Sequence, residues 1–334
     1  MKVKKIKKIT IIGGGTGTYQ VLTGLKKYPV GLSVIVSMMD SGGSNRIIRD
    51  EFGLLPTSDI RQCIVALSEE KPKDILRKLF TYRYSSGTGI TGMTFGNLFM
   101  AALTDIYGSQ EMAIAKTCEF LDVAGKVIPV TFDSTNLVAL YDNGKQVLGE
   151  HAIDEPPEEL SAHRIMELSV FPKAKANKAA LNAIKDSDLI VLGPGDLYTS
   201  VLPNIVIAGI KEAVIKSRAR KVYVMNLMTR WGQTNGFTAS RFVHEVEKYL
   251  GKKSLDAVLI NNAKLPAKAV KWYAATKSVP VKDDLGRSSK MDIIRRDFVD
   301  GKIRTKHSAD KLTRSLVRHD SEKLAKAIIE ILNA

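Results

Sequence analysis

Cysteine is scarce in this chain, long apolar runs are missing, aromatics are few, and none of the common hydrolase signatures is present; each absence removes a class of protein. Cys63 and Cys118 are the only thiols among 334 residues, far apart and outside any C-x-x-C pair. A disulfide scaffold is thereby excluded, and a reducing cytoplasm is the expected location. No apolar stretch approaches the roughly 18 residues that a membrane span needs. The opening MKVKKIKKIT interleaves lysine with single isoleucines and builds no signal-peptide h-region. His151, His163, His244, His307 and His319 show no H-E-x-x-H spacing, and no G-x-S-x-G elbow occurs. Zinc chemistry and serine hydrolysis are therefore unsupported, and His319, within RHD, is the histidine to follow.

The net charge of +15 invites a nucleic-acid reading. It is disfavoured, because the basic residues are spread along the chain, aromatics make up only 7%, and no nucleic-acid signature appears. A lysine-rich surface that focuses small anions explains the same charge. The densest basic run, residues 294–320, reads as an exposed face.

Five apolar segments share one grammar, each strand-like and each ending in a polar or glycine-rich turn: ITII before GGGTGT, LSVIVSMM before DSGGSN, DLIVLG before PGDLYTS, KVYVMNL before MTRWGQTNG, and DAVLI before NNAK. Helical spacing over 19–27, 59–69, 205–216 and 238–250 separates them. This is βαβ order, predicting a Rossmann-like, three-layer α/β fold with a mainly parallel sheet. The turns then share one sheet edge, where ligands bind. The strand order is expected to reverse near the first strand, with Gly14, Asp40, Gly195 and Asn226 lining one cleft. The whole chain, 1–334, reads as a single domain with an insertion over about 71–165. Helices over 73–84 and 95–121 open that insertion, and KVIPVTF follows. A hairpin turning at Asp142-Asn143-Gly144 comes next, and residues 150–163 form a surface loop.

The first turn, Gly13, Gly14, Gly15, Thr16 and Gly17, either cradles a phosphate on backbone N–H groups at a helix start or is simply a tight turn. It matches neither Gly-x-Gly-x-x-Gly nor a P-loop. Asp40 heads a second small-residue cradle with Ser41, Gly42, Gly43 and Ser44. Its carboxylate could hold Mg²⁺, orient a hydroxyl, or merely cap the turn. Thr57 and Ser58 could cap the next helix, while the pair Asp59 and Arg61 suits an active-site carboxylate and a phosphate-binding fork. Gly193, Pro194, Gly195, Asp196, Leu197, Tyr198, Thr199 and Ser200 form a third cradle of N–H groups and hydroxyls. Asn226, Thr229, Arg230 and Trp231 in the fourth turn suit a base or sugar, with core packing an equal account of Trp231.

Together GGGTGT, DSGGS, LLPTSDIRQCIVAL, FGNLFMAALT, GKVIPVT, GPGDLYTSVLPN, NLMTRWGQTNGFTAS and VRHDSEKLA resemble the family of CofD-like phospholactate transferases and YvcK-type gluconeogenesis factors (UPF0052). The likeness covers nearly the whole chain and is closer to the YvcK-type branch. That branch implies a cytoplasmic nucleotide-sugar-binding regulator, uridine-linked, tied to cell-wall synthesis, cell shape and growth on gluconeogenic carbon sources, a homodimer with protein partners in cell-wall synthesis. The transferase branch implies Mg²⁺-dependent transfer of a phospholactyl group from a guanosine diphosphate adduct to a deazaflavin alcohol, with Asp40 and Asp59 as catalytic residues.

Carried over residue by residue, the family's acidic Asp-Asp-Gly-Gly turn becomes Asp40, Ser41, Gly42 and Gly43, losing its second acid. Its Pro-Pro-Gly-Asp becomes Pro56, Thr57, Ser58 and Asp59. Its Gly-His-Ser-Phe-Gly-Asn becomes Gly92, Met93, Thr94, Phe95, Gly96 and Asn97, without the histidine. Tyr273 and Arg318 fall where the YvcK-type branch contacts its nucleotide sugar. The lost groups bear on metal binding and proton transfer, so turnover is put in doubt more than nucleotide binding.

Overall fold

The run that opens the first motif forms β1 (Lys8–Ile12), buried from Ile9 onward, as expected of a strand covered on both faces. The computed structural model describes residues 6–68, 74–286, 290–302 and 316–334. Its other strands are β2 (Gly31–Val36), β3 (Lys126–Pro129), β4 (Asn136–Tyr141), β5 (Gln146–Leu148), β6 (Ile165–Phe171), β7 (Leu189–Leu192), β8 (Arg220–Val224), β9 (Ala257–Asn261) and β10 (Asp292–Arg296). Seven of them form one sheet in the order β10-β9-β8-β7-β1-β2-β3, with every pairing parallel. The chain winds outward through β2 and β3 on one side of β1 and through β8, β9 and β10 on the other side of β7. The order therefore reverses between β1 and β7, where a doubly wound sheet leaves its crevice.

The pleat sends alternate residues of each strand to opposite layers. Ile9 and Ile11 pack beneath the helices Gly15–Leu25, Ser58–Leu67 and Ser321–Asn333. Ile12, Ile190 and Leu192 pack beneath Lys178–Lys185, Ile210–Lys216 and Ala239–Leu250. The fold is thus the expected Rossmann-like three-layer α/β arrangement. A second sheet, β5-β4-β6, is antiparallel, and its hairpin turns at Asp142–Gly144, with Gly144 at φ +80°.

Several elements differ from the sequence expectations. KVIP, read as part of the insertion, is β3, the main sheet's edge strand beside β2. The helix expected over 95–121 is two, Phe95–Tyr107 and Gln110–Phe120. Gly108 closes the first at φ +65°, and the Ser109 hydroxyl accepts from the Met112 N–H to start the second. The helix expected over 205–216 breaks at Gly209 (φ +101°) into Leu202–Ile205 and Ile210–Lys216. Residues 150–163, expected as a surface loop, contain helices Glu150–Asp154 and Glu158–Ser161, which bury Ile153 and Leu160. β6 and β10 were not anticipated. β10 takes up the start of the basic run, and residues 303–315 of that run, like Lys73 at the start of the expected helix over 73–84, lie outside the described residues. Cys63 and Cys118 are both free thiols, and no described helix is long and apolar enough to cross a membrane.

Candidate functional site

Parallel pairing of Ile12 with Leu192 makes the first and third glycine turns leave the sheet side by side. Gly13 and Gly193 do not present their amides to a ligand. The Gly13 N–H donates to Ile35 O at 3.1 Å and the Gly193 N–H to Ile12 O at 2.9 Å, so both extend the sheet ladder. Beyond them the turns touch. A Cβ built on Gly17 would lie 2.6 Å from the Pro194 carbonyl carbon and 3.1 Å from Gly195 N, so only glycine allows this approach. Gly195 is less tightly set, its Cβ position falling 3.0 Å from Ser200 Cβ and at ordinary contact, 3.4 Å, from Gly14 O.

The helix Gly15–Leu25 starts here with Gly14 as N-cap, without a side-chain cap or an acidic residue in its first turn. The helices Gly43–Phe52 and Ser58–Leu67 start from Gly42 and Thr57, also without side-chain caps. Gly14, Gly15, Thr16 and Gly17, Gly42, and Ser58 and Asp59 all line one cleft of about 620 Å³. Three helix starts therefore bring their positive dipole ends to a single cavity. The Ser58 N–H is already taken by Asn45 Oδ1 at 3.3 Å, and the Asp59 carboxylate is set against Gly14, whose Cβ position falls 3.2 Å from its Cγ.

A polar chain ties the starts of the helices Gly43–Phe52 and Ser58–Leu67 to that of Phe95–Tyr107. Asn45 Nδ2 donates to Asp40 Oδ2 at 2.5 Å, and its Oδ1 accepts from the Ser58 hydroxyl at 2.8 Å. Asn97 Nδ2 donates to that hydroxyl at 3.2 Å, and Arg61 Nε donates to Asn97 Oδ1 at 3.0 Å. Asn45, Asn97 and Arg61 are all buried, where a lost partner would be costly. Asn45 was not singled out from the sequence. Its signal lay in plain view, an amide closing the DSGGSN turn.

The opposite wall centres on Arg230, whose guanidinium the sequence offered to a base or sugar but which is engaged by carboxylates. It donates to Asp154 Oδ2 at 2.5 Å and to Asp196 Oδ2 at 3.0 Å, joining the 150–154 helix to the Gly-Pro-Gly-Asp turn. Burial is the main cause lifting the Asp154 carboxyl to about 6; Arg230 opposes the rise and Asp196 adds to it. Glu150 is pushed well above the usual carboxylate range by burial first, then by Asp40, Asp154 and Asp59. Asn226 Nδ2 donates to Gly195 O at 2.8 Å, tying the fourth turn to the third. Trp231 faces the cleft, with the Lys277 ammonium 4.8 Å from its ring centroid.

Of the residues chosen from the sequence, Gly14, Asp40, Gly195 and Asn226 line the same cleft, as do Arg61, Asp196, Thr199, Ser200, Thr229, Tyr273 and Arg318. Ser41 instead accepts from the His151 N–H at 3.0 Å, docking the 150–154 helix on the second turn. Gly43 opens the helix Gly43–Phe52 and Ser44 follows it. Asn97 acts one layer back, through Arg61. Tyr198 departs most from expectation. It is fully buried in the core, because the π-helical turn Leu197–Val201 rotates it inward, where burial raises its hydroxyl. His319 also lines the cleft; its Nε2 lies 3.1 Å from Met225 O, and burial holds the imidazole down at about 4.

Asp40, the residue expected to hold Mg²⁺, shares the cleft with Asp59, Glu150 and Asp154, and its carboxylate also braces its own turn. Asp40 Oδ1 accepts from the Gly42 N–H at 2.8 Å and Oδ2 from Asn45, so the carboxylate closes its own turn. Among the described residues no three acidic, histidine or cysteine side chains are placed to hold a metal ion.

Comparison with known proteins agrees with this architecture. The family described as 2-phospho-L-lactate transferase CofD matches residues 9–299. A putative gluconeogenesis factor of Aquifex aeolicus is 40% identical, covering 99% of this chain and 98% of its own. The gluconeogenesis factor of Bacillus subtilis is 34% identical, covering 97% and 98%. A solved structure of a UPF0052 member from Bacillus halodurans superposes with TM-score 0.86 at 35% identity, over 98% of this chain and 99% of that one. The chain therefore belongs to the CofD family, alongside the gluconeogenesis factors of the UPF0052 group.

Proposed function

We propose that the cleft binds a nucleotide sugar, uridine diphosphate-linked, and that the protein is a cytoplasmic regulator of the YvcK type serving cell-wall synthesis, cell shape and growth on gluconeogenic carbon sources. One observation carries the reading. Two glycine turns meet at the reversal of the sheet, beside an uncapped helix start, above a cavity of about 620 Å³. Backbone N–H groups there suit a diphosphate, and Trp231 and Tyr273 offer aromatic surface for a base or sugar. The nucleotide-sugar assignment also draws on the family resemblance, and the gluconeogenesis-factor relatives support the carbon-source role. A homodimer and protein partners in cell-wall synthesis belong to the same proposal.

A thermal-shift panel of uridine, guanosine and adenine nucleotides with their sugar conjugates tests it. A ligand at about 100 times its dissociation constant stabilises the fold by about 2.7 kcal/mol. Uridine diphosphate sugars should give the largest shift, and a panel without any shift rejects the reading. The transferase alternative is favoured by the family match over residues 9–299. Incubation with the guanosine diphosphate adduct, the deazaflavin alcohol and Mg²⁺ should leave both substrates unchanged. Product formation at a rate typical of an enzyme would replace the regulatory proposal with the catalytic one.

A further inference from the structure

Arg230 is placed unusually for a residue that only braces a loop. Its guanidinium faces the cleft, yet its two terminal nitrogens are taken by two carboxylates that line the same cavity, Asp154 at 2.5 Å and Asp196 at 3.0 Å. NH2 also donates to Asp154 O at 3.3 Å. One cation thus serves two anions, and the side chains of Arg230 and Asp154 retain only 24% and 20% exposure.

We propose that Arg230 is a phosphate-receiving residue held in reserve by Asp154 and Asp196, and that a diphosphate ligand reaching it displaces Asp154, which takes up a proton from bulk solvent. The inference rests on the nucleotide-sugar reading of the cleft. The physical reason is charge balance. A guanidinium fork pairs better with a phosphate than with two shared carboxylates. Once it turns to the ligand, Asp154 has lost the cation that opposed its burial.

What remains around Asp154 cannot replace that cation. From the fourth turn, Gln233 Nε2 donates to Oδ1 at 3.0 Å. From the third turn, the Thr199 hydroxyl donates to Oδ1 at 3.4 Å, and Asp196 repels. From its own segment, Glu155 and Glu150 repel. Two neutral donors against three acids favour the protonated form. The carboxyl is already lifted to about 6 with Arg230 in place, so loss of the cation moves its titration toward neutral pH.

Titration calorimetry with uridine diphosphate glucose and with guanosine diphosphate, at pH 7 in buffers of different ionisation enthalpy, reads proton uptake directly. The observed enthalpy should vary linearly with buffer enthalpy, with a positive slope that corresponds to net uptake of a fraction of a proton per ligand. Asp154→Asn should bind more tightly than wild type, because Arg230 is less engaged, and should lose the slope. Arg230→Gln should weaken binding of either probe and also lose the slope. Binding with a zero slope in wild type, or an unchanged slope in Asp154→Asn, overturns this inference and leaves the nucleotide reading standing. No heat with either probe rejects that reading and this inference together. Circular dichroism and thermal midpoints confirm that each variant is folded.

Discussion

Gly17→Ala sets two rules of opposite sign against each other. Gly17 lies inside the helix Gly15–Leu25, and propensity alone predicts that alanine stabilises a helix interior by about 0.5–1 kcal/mol. The tertiary contact predicts the reverse. The new methyl would sit 2.6 Å from the Pro194 carbonyl carbon and 3.1 Å from Gly195 N. These are backbone atoms that no rotamer change can move aside, and overpacking of this kind costs about 1–3 kcal/mol. The net expectation is a loss of about 1–2 kcal/mol, with the two glycine turns pushed apart and nucleotide binding weakened. Gly15→Ala is the control. Its Cβ meets nothing nearer than the Ser200 hydroxyl at 3.8 Å, but the backbone is at φ +64°. It should lose about 1–2 kcal/mol through strain alone, with the turns still in contact. Urea unfolding gives the stabilities, and titration of the folded variants gives the affinities. A Gly17→Ala protein more stable than wild type, or one that binds as well, would refute the close contact as the reason for glycine.

Asn45→Ala should cost about 1–3 kcal/mol in urea unfolding, because it removes one buried hydrogen-bond partner each from Asp40 and Ser58; Asn45→Ser should recover part of the loss. His319 sets part of the acid limit. Its imidazole is held at about 4 against an ordinary 6.5, so the unfolded chain takes a proton first as pH falls. Stability is full above 6.5 and is lost between 6.5 and 4, by about 3 kcal/mol. Unfolding at pH 7.5, 6 and 5 should show a slope that His319→Gln flattens. Light scattering at micromolar concentration should give a dimer mass, and a monomer there removes the homodimer proposal.

The sequence by itself determined the layers and the place of the cleft. Strands buried on both faces must be continuous apolar runs, and their ends must be small or polar turns, so β1, β2, β7, β8 and β9 announced themselves along with the glycines that follow three of them. Edge strands escaped that rule. β10, DIIRR, is largely exposed, so its residues need not be apolar and read as part of a basic face. β3 is short enough to be mistaken for the hairpin beside it. Only the tertiary structure decided the opposite wall. Arg230 and Asp154 lie 76 positions apart, and no local propensity links a turn after β8 to a helix after a hairpin. The same holds for the Asp40–Asn45–Ser58–Asn97–Arg61 chain, which three separate helix starts assemble. Tyr198 looked like a ligand group because its neighbours are hydroxyl residues, but the direction of a side chain in a tight π turn follows from the core it packs against. Buried polar groups must find partners wherever the fold places them, so the identity of those partners belongs to packing and not to spacing along the chain.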